Sequence, residues 1–180
     1  MRRRSGLLAC CLALALGLSA CQSTPPAPPD AAPRFAGRLA IRVEGDADRS
    51  FSASFELHGS AQQGWLSLSS ALGTQLGRAE WSPQQPARLL SSDGWRRYDN
   101  LDDLTTDLTG QPLPIAAWFD WLDARAWPKT TSTALADASK PGFNQLGWAV
   151  DTARVASGLV VATRDQPPPR VTVRVKLDLP

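Results

Sequence analysis

This 180-residue chain has little of what active sites are usually built from: one histidine, one methionine, one tyrosine and three cysteines. Cys10, Cys11 and Cys21 all fall within the first 21 residues, so the rest of the chain holds no disulfide, CxxC redox pair or cysteine metal site. No G-x-S-x-G elbow, Walker A loop, H-E-x-x-H pair or dinucleotide fingerprint is present. The single histidine, His58, stands before Gly59-Ser60 and is expected in a loop or at a strand end. Asp99, Asp102, Asp103 and Asp107 form the densest acidic group. With no glycine-bearing calcium loop beside them, they read as helix-start and solvated residues, and Asp120 and Asp123 as the polar side of a helix. No enzyme activity, metal or cofactor is expected.

A membrane-spanning run is also missing. The apolar stretch from Gly6 to Leu18 is shorter than the roughly 20 residues that a spanning helix needs, and it follows Arg2, Arg3 and Arg4, the pattern of a secretory signal. It ends in Leu18-Ser19-Ala20-Cys21, which resembles the lipobox of bacterial lipoproteins. The expectation is cleavage before Cys21 and lipidation of its sulfur. Several acyl chains make such an anchor stable, each buried methylene contributing about 0.8 kcal/mol. Removal of the signal takes three of the 19 basic residues and leaves 16 against 17 acidic, a balance of −1. The apparent excess of positive charge therefore argues for no nucleic-acid partner. Residues 21–33 carry five prolines and no large apolar side chain, as a tether would, and 34–180 suit one domain.

Within that domain, alternation of period 2 predicts strands with one buried face. Phe35, Gly37, Leu39, Ile41 and Val43 interleave with polar or small residues, as do Phe51, Ala53, Phe55 and Leu57, and Val171, Val173, Val175, Leu177 and Leu179. Shorter strands are expected over 64–69, 75–81, 87–90, 94–98, 145–150 and 159–163. Turns are expected at Asp46-Ala47-Asp48, Ser82-Pro83, Asp93-Gly94, Ser157-Gly158 and Pro167-Pro168-Pro169. Only the middle reads as helix. Asn100 caps a segment with Leu101, Leu104 and Leu108 on one face and Gly110 beyond its end, and Pro114 opens a second with Ile115, Trp118, Phe119 and Leu122 in phase and Trp121 beside them. The expected fold is mainly β: an antiparallel sheet that curls, its apolar face covered by two short helices. Trp65, Trp81, Trp95, Trp118, Trp121, Trp127 and Trp148 then belong to a packed core or to the wall of an apolar hollow suited to acyl chains.

The segment from Leu66-Ser67-Leu68 through Ala71-Leu72-Gly73-Thr74 resembles the family of the outer-membrane lipoprotein receptor LolB. Further similarity follows in order: Gly37-Arg38-Leu39-Ala40, Asp93-Gly94, Leu108-Thr109-Gly110, Leu113-Pro114 leading into Trp121-Leu122, Phe143 with Gly147-Trp148, and Lys176-Leu177. The resemblance implies an open antiparallel β-barrel with a helical lid over a hydrophobic cavity. It also implies a function, receipt of lipoproteins from the periplasmic carrier LolA and their insertion into the inner leaflet of the outer membrane. Leu72 would be the membrane-insertion residue. Leu66, Leu68, Ile115, Trp118, Phe119, Leu122 and Trp148 would line the acyl cavity or its lid. Gln22 after Cys21, where aspartate would signal inner-membrane retention, favours the outer membrane, with the domain in the periplasm and acting as a monomer. Two other classes stay open on residues alone: an outer-membrane assembly scaffold using the curved sheet as a surface, and a periplasmic hydrolase, which the lone His58 disfavours.

Overall fold

The computed structural model describes residues 33–179, so the signal, Cys21 and nearly all of the tether lie outside the described residues. Eleven strands form one antiparallel sheet: β1 (Phe35–Val43), β2 (Asp46–Gly59), β3 (Gly64–Ser69), β4 (Gln75–Ser82), β5 (Gln85–Ser91), β6 (Gly94–Tyr98), β7 (Thr133–Ala134), β8 (Gly142–Gln145), β9 (Trp148–Arg154), β10 (Leu159–Arg164) and β11 (Val171–Leu177). Helices α1 (Leu101–Thr109) and α2 (Ile115–Trp121) interrupt the strand sequence after β6. The spatial order runs β6-β5-β4-β3-β2-β1-β11-β10-β9-β8-β7, which leaves β6 and β7 as unpaired edges.

Alternation decides the inner face. Leu39, Ile41 and Val43 on β1 stand opposite Val175, Val173 and Val171 on β11, and Phe55 and Leu57 on β2 stand opposite Leu68 and Leu66 on β3; all are buried. Arg38 pairs with Lys176 on the outer face, beside water. The sheet must be strongly curled. Phe119 of α2 meets the Trp81 ring of β4 edge-on at 6.2 Å, while Trp121 of the same helix donates its indole N–H to Gln145 of β8 at 2.8 Å. β4 and β8 are seven strand steps apart in the sheet, about 34 Å if it were flat, and a seven-residue helix is only about 10 Å long. Both contacts exist only if the sheet wraps around α2.

The helices end as their residues require. Asn100 accepts the Asp103 N–H at 2.8 Å, and Gly110 takes the left-handed conformation, φ 77°, while its N–H reaches the Thr106 carbonyl. Leu104 is fully buried, with Leu101 and Leu108 half-buried beside it.

Three expectations need correction. Asp46-Ala47-Asp48 is the start of β2; the turn is Glu44-Gly45, where Gly45 supplies φ 77°. The expected strand over 145–150 is two strands joined at Leu146-Gly147 with φ 54° and 78°, since Gln145 pairs with Trp148. This backbone belongs to a two-residue hairpin that favours Asn-Gly, and leucine there costs about 1–2 kcal/mol. β11 stops at Leu177, so Leu179 lies beyond the sheet and is exposed. β7 carries no periodic signal and has no counterpart among the expected strands, while the expected Ser157-Gly158 turn is a 3-10 turn at Val155–Ser157 closed by Gly158 at φ 78°.

One close approach is open to experiment. A Cβ on Gly37 would lie 2.1 Å from the backbone carbonyl oxygen of Lys176, inside the β1–β11 ladder, where no side chain can yield. Gly37→Ala is expected to lower the unfolding free energy by about 3 kcal/mol or more, read as a fall in the urea midpoint.

Candidate functional site

The inner face and α2 form one apolar interior. Ile115, Ala117, Trp118, Phe119 and Trp121 are all buried, so α2 packs most of its circumference into the barrel, while the half-buried Ala116 and Asp120 mark its one polar side. The inner-face residues Leu66, Leu68 and Trp148 join Ile115, Trp118, Phe119 and Leu122 in one core cluster, none more than 3 % exposed. Around Trp118, Trp121 and Leu122, facing Val160, Ala162, Val173 and Val175, the remaining space is about 10 Å³. That is the lower limit for a single water, whereas a drug-sized ligand occupies several hundred Å³. In this conformation the interior is filled by the side chains of α2. A depression of about 920 Å³ lies on the outer side beside Arg42, Arg170 and Arg174, where the lining is too charged for acyl chains.

Polar contacts hold the plug in place at both ends, and the sequence reading missed them. Gln145 is buried on β8. Its side-chain oxygen accepts from the Trp121 indole and the Trp127 N–H at 2.8 and 2.9 Å, and its amide donates to the Trp127 and Thr130 carbonyls at 2.8 and 3.0 Å. This one side chain ties the segment after α2 to the sheet. Before α2, the buried Thr105 hydroxyl accepts the Leu113 N–H at 2.9 Å, and Thr109 donates to the Thr105 carbonyl at 2.8 Å. Gln111 accepts a hydrogen bond of 3.2 Å from the Arg164 guanidinium, which also sits over the Trp148 ring. Burial pulls the Arg164 pKa down from its ordinary value. Glutamine and threonine at these places carry no periodic signal, which is why pattern alone passed over them.

Leu72 is placed quite differently. It occupies the turn between β3 and β4 with 95 % of its surface exposed. The turn is held without it: Ser70 N–H donates to Thr74 at 2.8 Å, Gly73 N–H to Ser70 at 2.9 Å, and the Ser70 hydroxyl accepts from Leu72 and Thr74. A rigid polar turn thus displays an unpacked leucine.

The tryptophans divide three ways. Trp81, Trp118, Trp121 and Trp148 are core, and Trp127 is half-buried against it. Trp65 and Trp95 fit neither expected role, because they point outward in a row that crosses five strands. His58 stacks on Trp65 at 3.6 Å, the Arg78 guanidinium covers Trp65 at 4.0 Å, Glu80 joins Arg78 and Arg88 through hydrogen bonds of 2.6–2.9 Å, and Arg88 covers Trp95 at 4.4 Å. His58, near the end of β2, is only 8 % exposed beneath Trp65. The acidic residues have local partners: Asp103 bonds Asn100, Asp107 bonds Arg96 and Tyr98, and Asp123 bonds Arg34 and Arg125, with Asp120 also reached by Arg125.

The family described as outer membrane lipoprotein LolB matches residues 33–179. The chain is 29 % identical over 153 residues to the outer-membrane lipoprotein LolB of Thiobacillus denitrificans, which covers 80 % of this chain and 81 % of that one. It is 31 % identical over 157 residues to that of Cupriavidus metallidurans, covering 82 % and 76 %, and 34 % over 120 residues to that of Ralstonia nicotianae, covering 65 % and 57 %.

Stacking of His58 has a pH signature. Burial pushes its pKa below the ordinary 6.5, so the folded state favours the neutral ring. Its stabilising share is complete above pH 6.5 and is lost as the pH falls below that value and the unfolded chain takes up the proton first. The melting temperature is expected to drop between pH 7.5 and 5.5, and His58→Phe, which keeps a stacked ring, to flatten that drop.

Proposed function

The chain belongs to the outer-membrane lipoprotein LolB family and is a lipid-anchored protein of the outer membrane; on that premise we propose that it receives lipoproteins from the periplasmic carrier LolA and inserts them into the inner leaflet of that membrane. Residues 1–20 are the signal, Cys21 bears the lipid, 21–33 are the tether and 34–180 the lipoprotein-binding domain. The observation that carries this reading is Leu72, an apolar side chain held almost fully in solvent by a turn whose hydrogen bonds do not need it.

The chemistry follows from the apolar interior. Trp118, Phe119 and Leu122 fill the barrel with surface of the same kind as an acyl chain, so withdrawal of α2 lets cargo replace side chains at little net change in buried apolar area. No nucleotide is then required, because the bilayer buries more of the acyl chain than any protein interior and lies downhill. Leu72 enters the interface beside the anchored domain and opens the apolar route between barrel and bilayer.

Binding and delivery are expected to separate in mutants. Leu72→Glu should melt as the parent does and take lipoprotein from the carrier, yet fail to deliver it to liposomes, since a carboxylate resists the bilayer. Normal delivery by the folded variant would sink the reading. Phe119→Ala, by contrast, should cost about 3–5 kcal/mol of stability and weaken cargo binding as well. A form lacking the signal and Cys21 should still bind cargo, because the whole interior lies after Arg34.

A further inference from the structure

Large apolar side chains that stand in solvent are few, and their positions are not random. Among the described residues they are Leu72, Leu76, Trp95, Leu146 and Leu179. Strand directions put four of these five at one end of the sheet. β3 runs into the turn of Leu72 and β4 leaves it, with Leu76 as the second residue of β4. β6 begins at that same end, with Trp95 as its second residue, and β8 and β9 meet there at Leu146-Gly147. Leu179 follows β11 at the opposite end, where β1 begins.

Leu146 is the most informative of the four. Its φ of 54° suits glycine or asparagine, so leucine lowers the stability of the hairpin, and with 44 % of its surface exposed it recovers little by packing. Neither local conformation nor the core accounts for it. Trp95 adds a second signature: it is 49 % exposed and its ring carries the Arg88 guanidinium. An indole beside a cation is the combination that settles at the boundary between lipid and water.

We propose that this end of the barrel is a membrane-facing rim, with Leu146 a second point of insertion and Trp95 resting at the headgroup level. The choice of a lipid surface as the occupant rests on the function proposed above. The turns of Leu72 and Leu146 are separated around the sheet by β2, β1, β11 and β10, so they make two contacts and not one cluster. One inserted leucine leaves a tethered domain free to swing. Two on different sides of a curled sheet fix its mouth against the bilayer, and that orientation presents the interior to the acyl layer.

The test uses the lipidated protein in phosphatidylethanolamine–phosphatidylglycerol vesicles. With Cys21 acylated the mature chain has no other thiol, so Leu72→Cys, Leu146→Cys and Leu179→Cys can each carry one environment-sensitive dye. Emission should shift to the blue at positions 72 and 146 on going from detergent to vesicles, and stay unchanged at 179. A shift at 72 alone overturns the role of Leu146 and leaves the proposed function standing. No shift at 72 removes the insertion reading itself. A shift at 179 overturns the orientation, and a shift at 146 caused by the soluble carrier without vesicles assigns the rim to a protein and overturns the proposal. Leu146→Asn supplies the functional arm. Asparagine suits the turn, so the melting temperature should hold or rise, while delivery to vesicles slows by about tenfold, the loss of one buried leucine; an undiminished rate would refute the second insertion point.

Discussion

Burial of α2 inside a single curled sheet is the constraint on which the rest of this structure depends. An eleven-stranded sheet with one apolar face has no second sheet to cover it, and the two helices together supply only 16 residues. The face is satisfied by closing on itself around seven of them. Trp81 on β4 and Gln145 on β8 come within reach of one short helix, and α2 is apolar on every side but that of Asp120 because the sheet wraps around it.

Much of this was legible in the sequence, and the misses have identifiable causes. β1, β3 and β6 follow the expected bounds because Phe35–Val43, Gly64–Ser69 and Gly94–Tyr98 stand between clear turn residues. Asn100, Gly110 and Pro114 mark the helices for the same reason. The hairpin at Leu146-Gly147 escaped because leucine at a left-handed position hides a turn inside an apolar run, and the start of β2 escaped because acidic residues were given more weight than Gly45. Trp65 shows the limit of composition: its parity against the buried Leu66 and Leu68 already points it outward, but aromatic character suggested an interior. The filled state of the barrel was beyond reach of pattern, since it depends on the volumes of side chains brought together from distant segments. Leu72 is a third case: leucine is commonly buried, and the resemblance to a family, with polar Ser69, Ser70 and Thr74 around it, pointed it to solvent.

The polar groups around α2 act differently from the apolar ones. Thr105, Thr109, Gln111 and Gln145 are buried, and their hydrogen bonds tie the segments that flank α2 to α1 and to the sheet. Apolar contacts have no preferred register and tolerate exchange of one hydrocarbon for another, whereas these bonds are directional. The arrangement therefore separates two tasks: hydrocarbon fills the barrel, and a few amides and hydroxyls determine where its helix sits.

An open barrel keeps two strand edges that a closed one would not have, and each is a template on which a second chain can pair. Here one edge is β7, only two residues long, and the other is β6, five residues that include Arg96 and Arg97. A ladder of two residues is too short to hold another strand, and a like-charged pair disfavours self-association of β6 with its own copy. The gap in the sheet can therefore persist at high local concentration on a membrane without inviting polymerisation through its edges.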